Sequence, residues 1–341
     1  MRGNREAPSR REQARRDNSE APGRRGLCVL CAALLLACLL GCGADAPSPV
    51  RRPVALIVKS TGSEFFLSVF AGARAAAAEY NLELTISGPE TEEDYEAQNR
   101  MIAQAVEDGA QAIVFSAIDY EQNAAAIDAA HQAGVQIVSI DSGVGSPCVS
   151  TYIGTDNYAA GQMAAQAALE RVEGPLLVGL VNYNEGTANG QERVRGATDA
   201  LTQSGRARVA AVATTLVDAG RARTDAAELL KAHPELNVLI AFNEPTSVGA
   251  AGAVRELGLA DAVFCVGFDS NVATIDALQD GCVDALIVQN PYAMGYLGVE
   301  SAYRLLSGQD APEPVVDTST QIVDRGNMFS TDGQKALFAF E

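Results

Sequence analysis

From residue 54 onward, short apolar runs alternate with alanine-rich stretches of helical spacing, and the alternation repeats nine times. The runs cover 54–58, 82–86, 112–115, 135–140, 176–181, 209–214, 238–241, 262–266 and 285–288. The stretches between and after them cover 66–80, 96–107, 123–133, 161–171, 190–201, 222–231, 247–256, 272–279 and 293–306. Apolar runs without internal alternation read as strands buried on both faces, and intervening helices make those strands parallel. Nine strands are too many for one small sheet. Two βαβ lobes of similar size or one eight-fold barrel both fit. Polar residues stand just past several strands: Lys59, Asp119, Asp141, Asn243, Asp269 and Gln289. Both architectures gather ligand groups at the carboxyl ends of strands, so these residues mark a site in either fold.

The N-terminal part has a different character. An arginine-bearing segment precedes an apolar run, 27–40, of about fourteen residues, short of the roughly twenty that span a bilayer. Basic region, apolar region and small-residue exit together read as a secretory signal. Its last residues, Leu39-Leu40-Gly41-Cys42, resemble the lipobox of bacterial lipoproteins. That resemblance implies cleavage before Cys42, a signal over 1–41, and lipid on the Cys42 thiol. The other reading is an ordinary signal peptide that ends in cysteine. The first 26 residues are long for a signal's basic region; an upstream-called start or a twin-arginine signal around Arg24-Arg25 would account for them. Residues 42–52, with Pro47 and Pro49 inside and Pro53 just after, read as a tether.

The chain has 25 basic and 43 acidic residues, net −18, and eight of its arginines precede Cys42. The remainder is more acidic still and is poorly suited to nucleic acid, whose binding neutralises phosphates. Cys28, Cys31 and Cys38 fall in the signal, so Cys28-x-x-Cys31 is no redox motif. Cys148, Cys265 and Cys282 remain, an odd number for an exported chain. Cys265 and Cys282 either pair or stay as two buried thiols.

Catalytic patterns are missing. His131 and His233 are the only histidines, and no His, Cys and carboxylate cluster has metal-ligand spacing. No nucleophile elbow, phosphate loop or dinucleotide fingerprint occurs. Glu90, Glu92, Glu93 and Asp94 read as a solvated helix start. The expectation is a binding protein with no catalytic residue, metal or cofactor.

Taken in order, the segments resemble the periplasmic sugar-binding proteins of the ribose and galactose type. The segments are Lys59-Ser60-Thr61-Gly62-Ser63-Glu64-Phe65-Phe66, Ile140-Asp141-Ser142, Ile153-Gly154-Thr155-Asp156-Asn157 and Gln191-Glu192-Arg193-Val194-Arg195-Gly196. Phe242-Asn243-Glu244, Val266-Gly267-Phe268-Asp269 and Val288-Gln289-Asn290-Pro291 follow. The resemblance runs from Val54 to about Val323. It implies the type I periplasmic binding fold: two doubly wound parallel-sheet lobes joined by three chain crossings near Thr155, Gln289-Asn290 and 316–319. The N-terminal lobe would hold 53–155 plus 290–317, and the C-terminal lobe 156–289 plus 318–341.

The same resemblance, with the chemistry of the side chains, nominates Lys59, Phe65, Phe66, Asp141, Ser142, Arg193, Asn243, Asp269 and Gln289 as ligand contacts. Sugar hydroxyls both donate and accept. Asp141 and Asp269 accept, Asn243 and Gln289 do both, and Arg193 donates through a planar fork. Phe65 and Phe66 offer flat surface to a ring face. Each has a plainer alternative: helix-entry packing for the two Phe, capping for Asp141, Asp269 and Asn243, surface exposure for Arg193, and hinge bracing for Gln289. Asn189, Glu185 and Asp218 lie on loops expected to face the same cleft. Two positions depart from the ribose-type pattern: Lys59 where a small hydroxyl residue is usual, and Ser142 where arginine is usual. Lys59 and the Gly88-Pro89-Glu90 turn resemble the autoinducer-2 branch instead. A buried Lys59 needs a carboxylate or a ligand oxygen as partner.

The expected function is a lipid-anchored, exported, monomeric protein capturing a monosaccharide-like solute for an ABC permease in the membrane. The alternative is a sensor presenting liganded lobes to a chemoreceptor or membrane kinase. A sugar-responsive transcriptional regulator is disfavoured, because a signal and lipobox stand where its DNA-binding helices would be.

Overall fold

A computed structural model describes residues 51–309 and 312–338. The signal, the lipobox with Cys42, and the tether as far as Val50 lie outside the described residues. The nine expected strands form, but not as a barrel: they divide between two six-stranded sheets.

The first sheet has the order β11-β5-β4-β3-β1-β2. Its strands are β1 (Arg52–Ile57), β2 (Leu82–Ser87), β3 (Ala112–Phe115), β4 (Gln136–Ile140), β5 (Thr151–Gly154) and β11 (Val315–Asp317), all parallel. The second has the order β12-β10-β9-β8-β6-β7. It is built from β6 (Leu176–Tyr183), β7 (Ala207–Thr215), β8 (Val238–Ala241), β9 (Phe264–Phe268), β10 (Ala285–Val288) and β12 (Gln321–Asp324). Only β12 runs antiparallel, against β10. Position by position the two orders match, so the molecule is an α/β fold of two similar lobes.

Helices cover both faces of each sheet. α1 (Glu64–Glu79), α2 (Tyr95–Glu107) and α3 (Ala124–Gln132) serve the first sheet, with α9 (Pro291–Leu306). α4 (Asn157–Arg171), α5 (Ala188–Gln203), α6 (Ala219–Ala232), α7 (Glu244–Leu257) and α8 (Val272–Asp280) serve the second, with the short α10 (Thr331–Leu337) near its end. Each sheet has apolar clusters on both sides, as for Val54, Leu56 and Val58 against Ala55, Ile57 and Phe115. Short polar residues start the helices: Asp94, Asp156, Asp218, Asn243, Asn271, Asn290 and Ser330 each accept an amide of the first turn.

Alanine and glycine let helices meet closely. A Cβ at Gly72 in α1 would overlap the Tyr292 carbonyl of α9, and one at Gly295 in α9 would overlap that of Val69. Gly161 in α4 and Gly196 in α5 make the matching crossing in the second lobe, against Arg193 and Tyr158. In each lobe, therefore, the helix after the first strand packs on the helix that has just entered from the other lobe.

The chain passes between the lobes after β5, after β10 and after β11. The passages are bonded together: the Thr155 hydroxyl donates to Gln289 Oε1 at 2.8 Å, and Thr320 lies 3.5 Å from Thr155. Cys265 and Cys282 are buried free thiols. No helix among the described residues is long and apolar enough to cross a membrane.

Candidate functional site

Between the two sheets' loops lies a small cleft, lined from both lobes. The first lobe contributes Lys59, Ser63, Phe65, Phe66, Glu92 and Asp141. Across from them stand Tyr183, Asn189, Arg193, Asn243, Glu244 and Asp269, with Gln289 from the second crossing. Eight of the nine nominated residues thus surround one space.

Lys59 follows β1 and is 4 % exposed. Its Nζ lies 3.2 Å from Glu92 Oε2 and 3.3 Å from Asp141 Oδ2. Burial alone would lower its pKa, but Asp141 and Glu92 outweigh burial and leave it raised. The lysine therefore stays charged and shares itself between two carboxylates. Burial pushes the Glu92 carboxyl up, with Lys59 opposing. Beyond that ion pair, Glu92 Oε2 has no well-directed donor among the described residues. Glu92 is not on a solvated helix start, as its sequence context suggested. The neighbouring acids are structural: Asp94 caps α2, and Glu93 accepts the Val217 amide at 2.8 Å.

Asp141 leaves β4 with a positive φ of 56°. Its Oδ2 accepts the Ser116 hydroxyl at 2.8 Å and its Oδ1 accepts Asn189 Nδ2 at 3.2 Å, a contact from the opposite lobe.

Arg193 lies on α5 and is 1 % exposed. Its donors go to Asn157 Oδ1 at 2.9 Å, the Phe242 carbonyl at 2.7 Å and Gln289 Oε1 at 2.7 Å. The guanidinium sits 4.6 Å above the centre of the Phe268 ring. None of those acceptors is charged, so the arginine meets the Asp269 carboxylate only at longer range, through Gln289. Gln289 donates to Asp269 Oδ1 at 2.6 Å and so joins the arginine to the acid. Asp269, after β9, also has positive φ, 68°. Burial pushes its carboxyl up to about 6, against the pull of Arg193 and Gln289.

Asn243 caps α7 through Oδ1, which takes the Thr246 amide at 3.1 Å and the Thr246 hydroxyl at 2.6 Å. The residue also lines the cavity. Capping and cavity lining thus coexist in one side chain. Phe66 is likewise both core and wall, set edge-to-face on Phe65 with ring centres 5.2 Å apart.

Ser142 is buried but does not line the cavity; its carbonyl accepts the Ala117 amide at 3.2 Å, and its hydroxyl has no partner among the described residues. Glu185 accepts the Thr214 hydroxyl at 3.1 Å and Asp218 caps α6, both away from the cavity. Asn189 does reach it. Sequence reasoning overlooked Glu92, Glu244, Ser63 and Tyr183 as lining residues. Among the described residues no group of three or more His, Cys, Asp or Glu could hold a metal. The arrangement suits a small polyhydroxylated ring: acceptors, an amide and buried cations around it, aromatic surface on one side.

The model of the periplasmic binding protein domain matches residues 54–310. The D-ribose/D-allose-binding protein of Pseudomonas aeruginosa is 29 % identical over 310 residues, 86 % of this chain and 97 % of that protein. The ribose import binding protein of Escherichia coli is 26 % identical, covering 82 % of this chain and 93 % of its own length. A carbohydrate transporter solute-binding protein of Agrobacterium radiobacter, solved with D-arabinose, has a TM-score of 0.82 and 28 % identity over 85 % of this chain and all of that one. An ABC transporter solute-binding protein of Agrobacterium vitis, solved with D-fucose, has a TM-score of 0.81 and 28 % identity over 84 % of this chain and 99 % of that one. With a family match across most of its length and two sheets in the same order, the chain belongs to the periplasmic binding protein domain family.

Proposed function

We propose that this protein captures a monosaccharide between its two lobes and hands it to an ABC importer. The observation that carries the reading is the convergence of Asp141, Arg193, Asn243, Asp269 and Gln289 on one cavity walled by Phe65 and Phe66. The sugars named for its relatives support the same class of ligand. Lys59, Phe65, Phe66, Asp141, Arg193, Asn243, Asp269 and Gln289 are the proposed contacts. Ser142 acts only through the backbone turn that presents Asp141. The lobes divide at 155/156, 289/290 and 317/318, and ligand favours their closed arrangement by binding it better than the open one.

The protein works outside the cytoplasm, monomeric and held to the membrane by lipid on Cys42. The lipobox-like segment supports this part. Such a tether keeps a soluble receptor near its permease. Thermal shift and calorimetry with D-ribose, D-allose, D-arabinose and D-fucose test the binding, which should be saturable. No response to any of the four sinks the reading. Cys42→Ser should move the protein from the membrane fraction to the soluble one.

A further inference from the structure

Ser63 stands at the N-cap of α1 but its side chain caps nothing in that helix. The first amides of a helix have no partner within it and need an acceptor from elsewhere. Here the acceptor comes from the other lobe. Glu244, the first residue of α7, takes the Phe65 amide at 3.0 Å and the Ser63 hydroxyl at 2.8 Å on the single oxygen Oε2. Its Oε1 accepts Asn271 Nδ2 at 3.0 Å, which anchors the carboxylate on its own side of the cleft. A negative group at a helix N-terminus is also favoured by the helix dipole.

The capped turn carries both aromatic residues of the cavity. Phe65 and Phe66 are the second and third residues of α1, and Glu244 lines the same cavity. When this turn frays, both rings shift together.

We propose that Glu244 is a positioning residue for sugar capture: as the lobes close it supplies the N-cap that α1 lacks and sets the Phe65–Phe66 wall against the ligand. The inference rests on the sugar-capture reading above. It ties the aromatic wall to closure, because the cap is assembled from residues of both lobes. The competing role for Glu244 is as an ordinary acidic residue in the first turn of its own helix. That role has no reason to depend on Ser63.

The test is a double-mutant cycle on Kd, measured by calorimetry with whichever of D-ribose, D-allose, D-arabinose and D-fucose binds wild type best. Ser63→Ala should weaken binding about fivefold and Glu244→Ala roughly thirtyfold, the scale of losing one and then two charge-assisted hydrogen bonds. The double variant should bind no more weakly than Glu244→Ala, because both changes remove the same contact. Glu244→Gln keeps an acceptor oxygen and should recover much of the loss. Independent, multiplying losses overturn the proposal, as does an unchanged Kd in Glu244→Ala. If wild type binds none of the four sugars, the capture reading fails on its own account. The cap is then judged by amide exchange at Phe65: faster exchange in Glu244→Ala supports it, and equal rates overturn it.

Discussion

Asp141 and Asp269 occupy matching places in the two lobes: each is the first residue past a strand, β4 or β9, that lies third in its sheet order. Both adopt positive φ, 56° and 68°. Asp is among the few side chains that tolerate the left-handed region, at roughly 1–2 kcal/mol for an L-residue. Glycine would remove that cost and with it the carboxylate. In each lobe the strained turn is therefore what aims an acceptor into the cavity.

Replacing Asp269 by Gly and by Ala separates backbone from side chain. Both changes remove the carboxylate, but only Ala must hold φ 68° with a Cβ. D269A is expected to be less stable than D269G by about 1 kcal/mol in urea unfolding. Equal stabilities would mean that this turn relaxes freely.

Acidification should move stability and sugar affinity in opposite directions at this residue. Burial pushes the Asp269 carboxyl up to about 6, above its unfolded value of ~3.9. The folded state then holds the proton more tightly. The resulting stability is full below about pH 4 and is lost as pH rises through 6. If Asp269 holds the sugar as proposed, binding runs the other way, because an ionised carboxylate accepts hydroxyls and a protonated one gives up part of that capacity. Kd should rise by up to about tenfold per pH unit below 6. D269N should give a shallower profile. Calorimetry across that range, on both proteins, decides the matter.

Lys59 pairs with both Glu92 and Asp141 in a site where all three are nearly inaccessible. Removing one partner from a buried ion group leaves charge uncompensated, at a cost of about 3–5 kcal/mol. Lys59→Met is expected to lose stability on that scale. Adding Glu92→Gln should recover part of it, since one stranded carboxylate disappears. Unfolding curves for the single and double variants measure the coupling, and simple additivity would show that the pair does not interact.

What the sequence disclosed and what it hid follow one physical line. β3, β8 and β10 are buried at every position, so each reads as an unbroken apolar run. β5, β11 and β12 are three or four residues long. They include Tyr152, Asp317, Gln321 and Asp324, and they are strands only because distant partners pair with them. The site divides similarly. Lys59, Asp141, Asn243, Asp269 and Gln289 stand directly past strands, where an α/β sheet concentrates its ligand groups. Glu92 sits in an acidic run that looks solvated, and only an isolated lysine at 59 hinted that some carboxylate must be buried with it. Glu244 looks like any acidic first-turn residue, because what distinguishes it is a helix that begins about 180 residues earlier.

The closest backbone approach in the first lobe makes Gly295 a point of low tolerance. A Cβ there would overlap the Val69 carbonyl of α1, which is helix backbone and cannot rotate away. Gly295→Ala is expected to destabilise by about 1–3 kcal/mol, the usual scale of overpacking, despite Ala's higher helix propensity. Thermal unfolding checks it; a stabilised variant would mean that α1 and α9 separate more easily than their packing implies.

Gly186 tests the meeting of the lobes apart from the ligand contacts. Its carbonyl accepts the Tyr120 amide of the first lobe at 2.9 Å, so two backbones touch here. A Cβ at 186 would overlap Asp119 Oδ2. Asp119 is not free to swing aside, because its Oδ1 accepts the Glu121 and Gln122 amides at 2.9 Å each. Gly186 lacks positive φ, so alanine fits its backbone conformation, and neither residue belongs to an apolar core. Gly186→Ala should therefore leave each lobe folded and oppose only closure. The expected result is a Kd about tenfold weaker, the low end of an overpacking penalty, with the sugar-free unfolding midpoint nearly unchanged. Asp119→Ala in the same chain removes the obstructing oxygen and should restore most of the affinity. If Gly186→Ala binds as tightly as wild type, the lobes do not meet at this contact when sugar is held. If it binds weakly and Asp119→Ala brings no recovery, the loss has a source other than this collision.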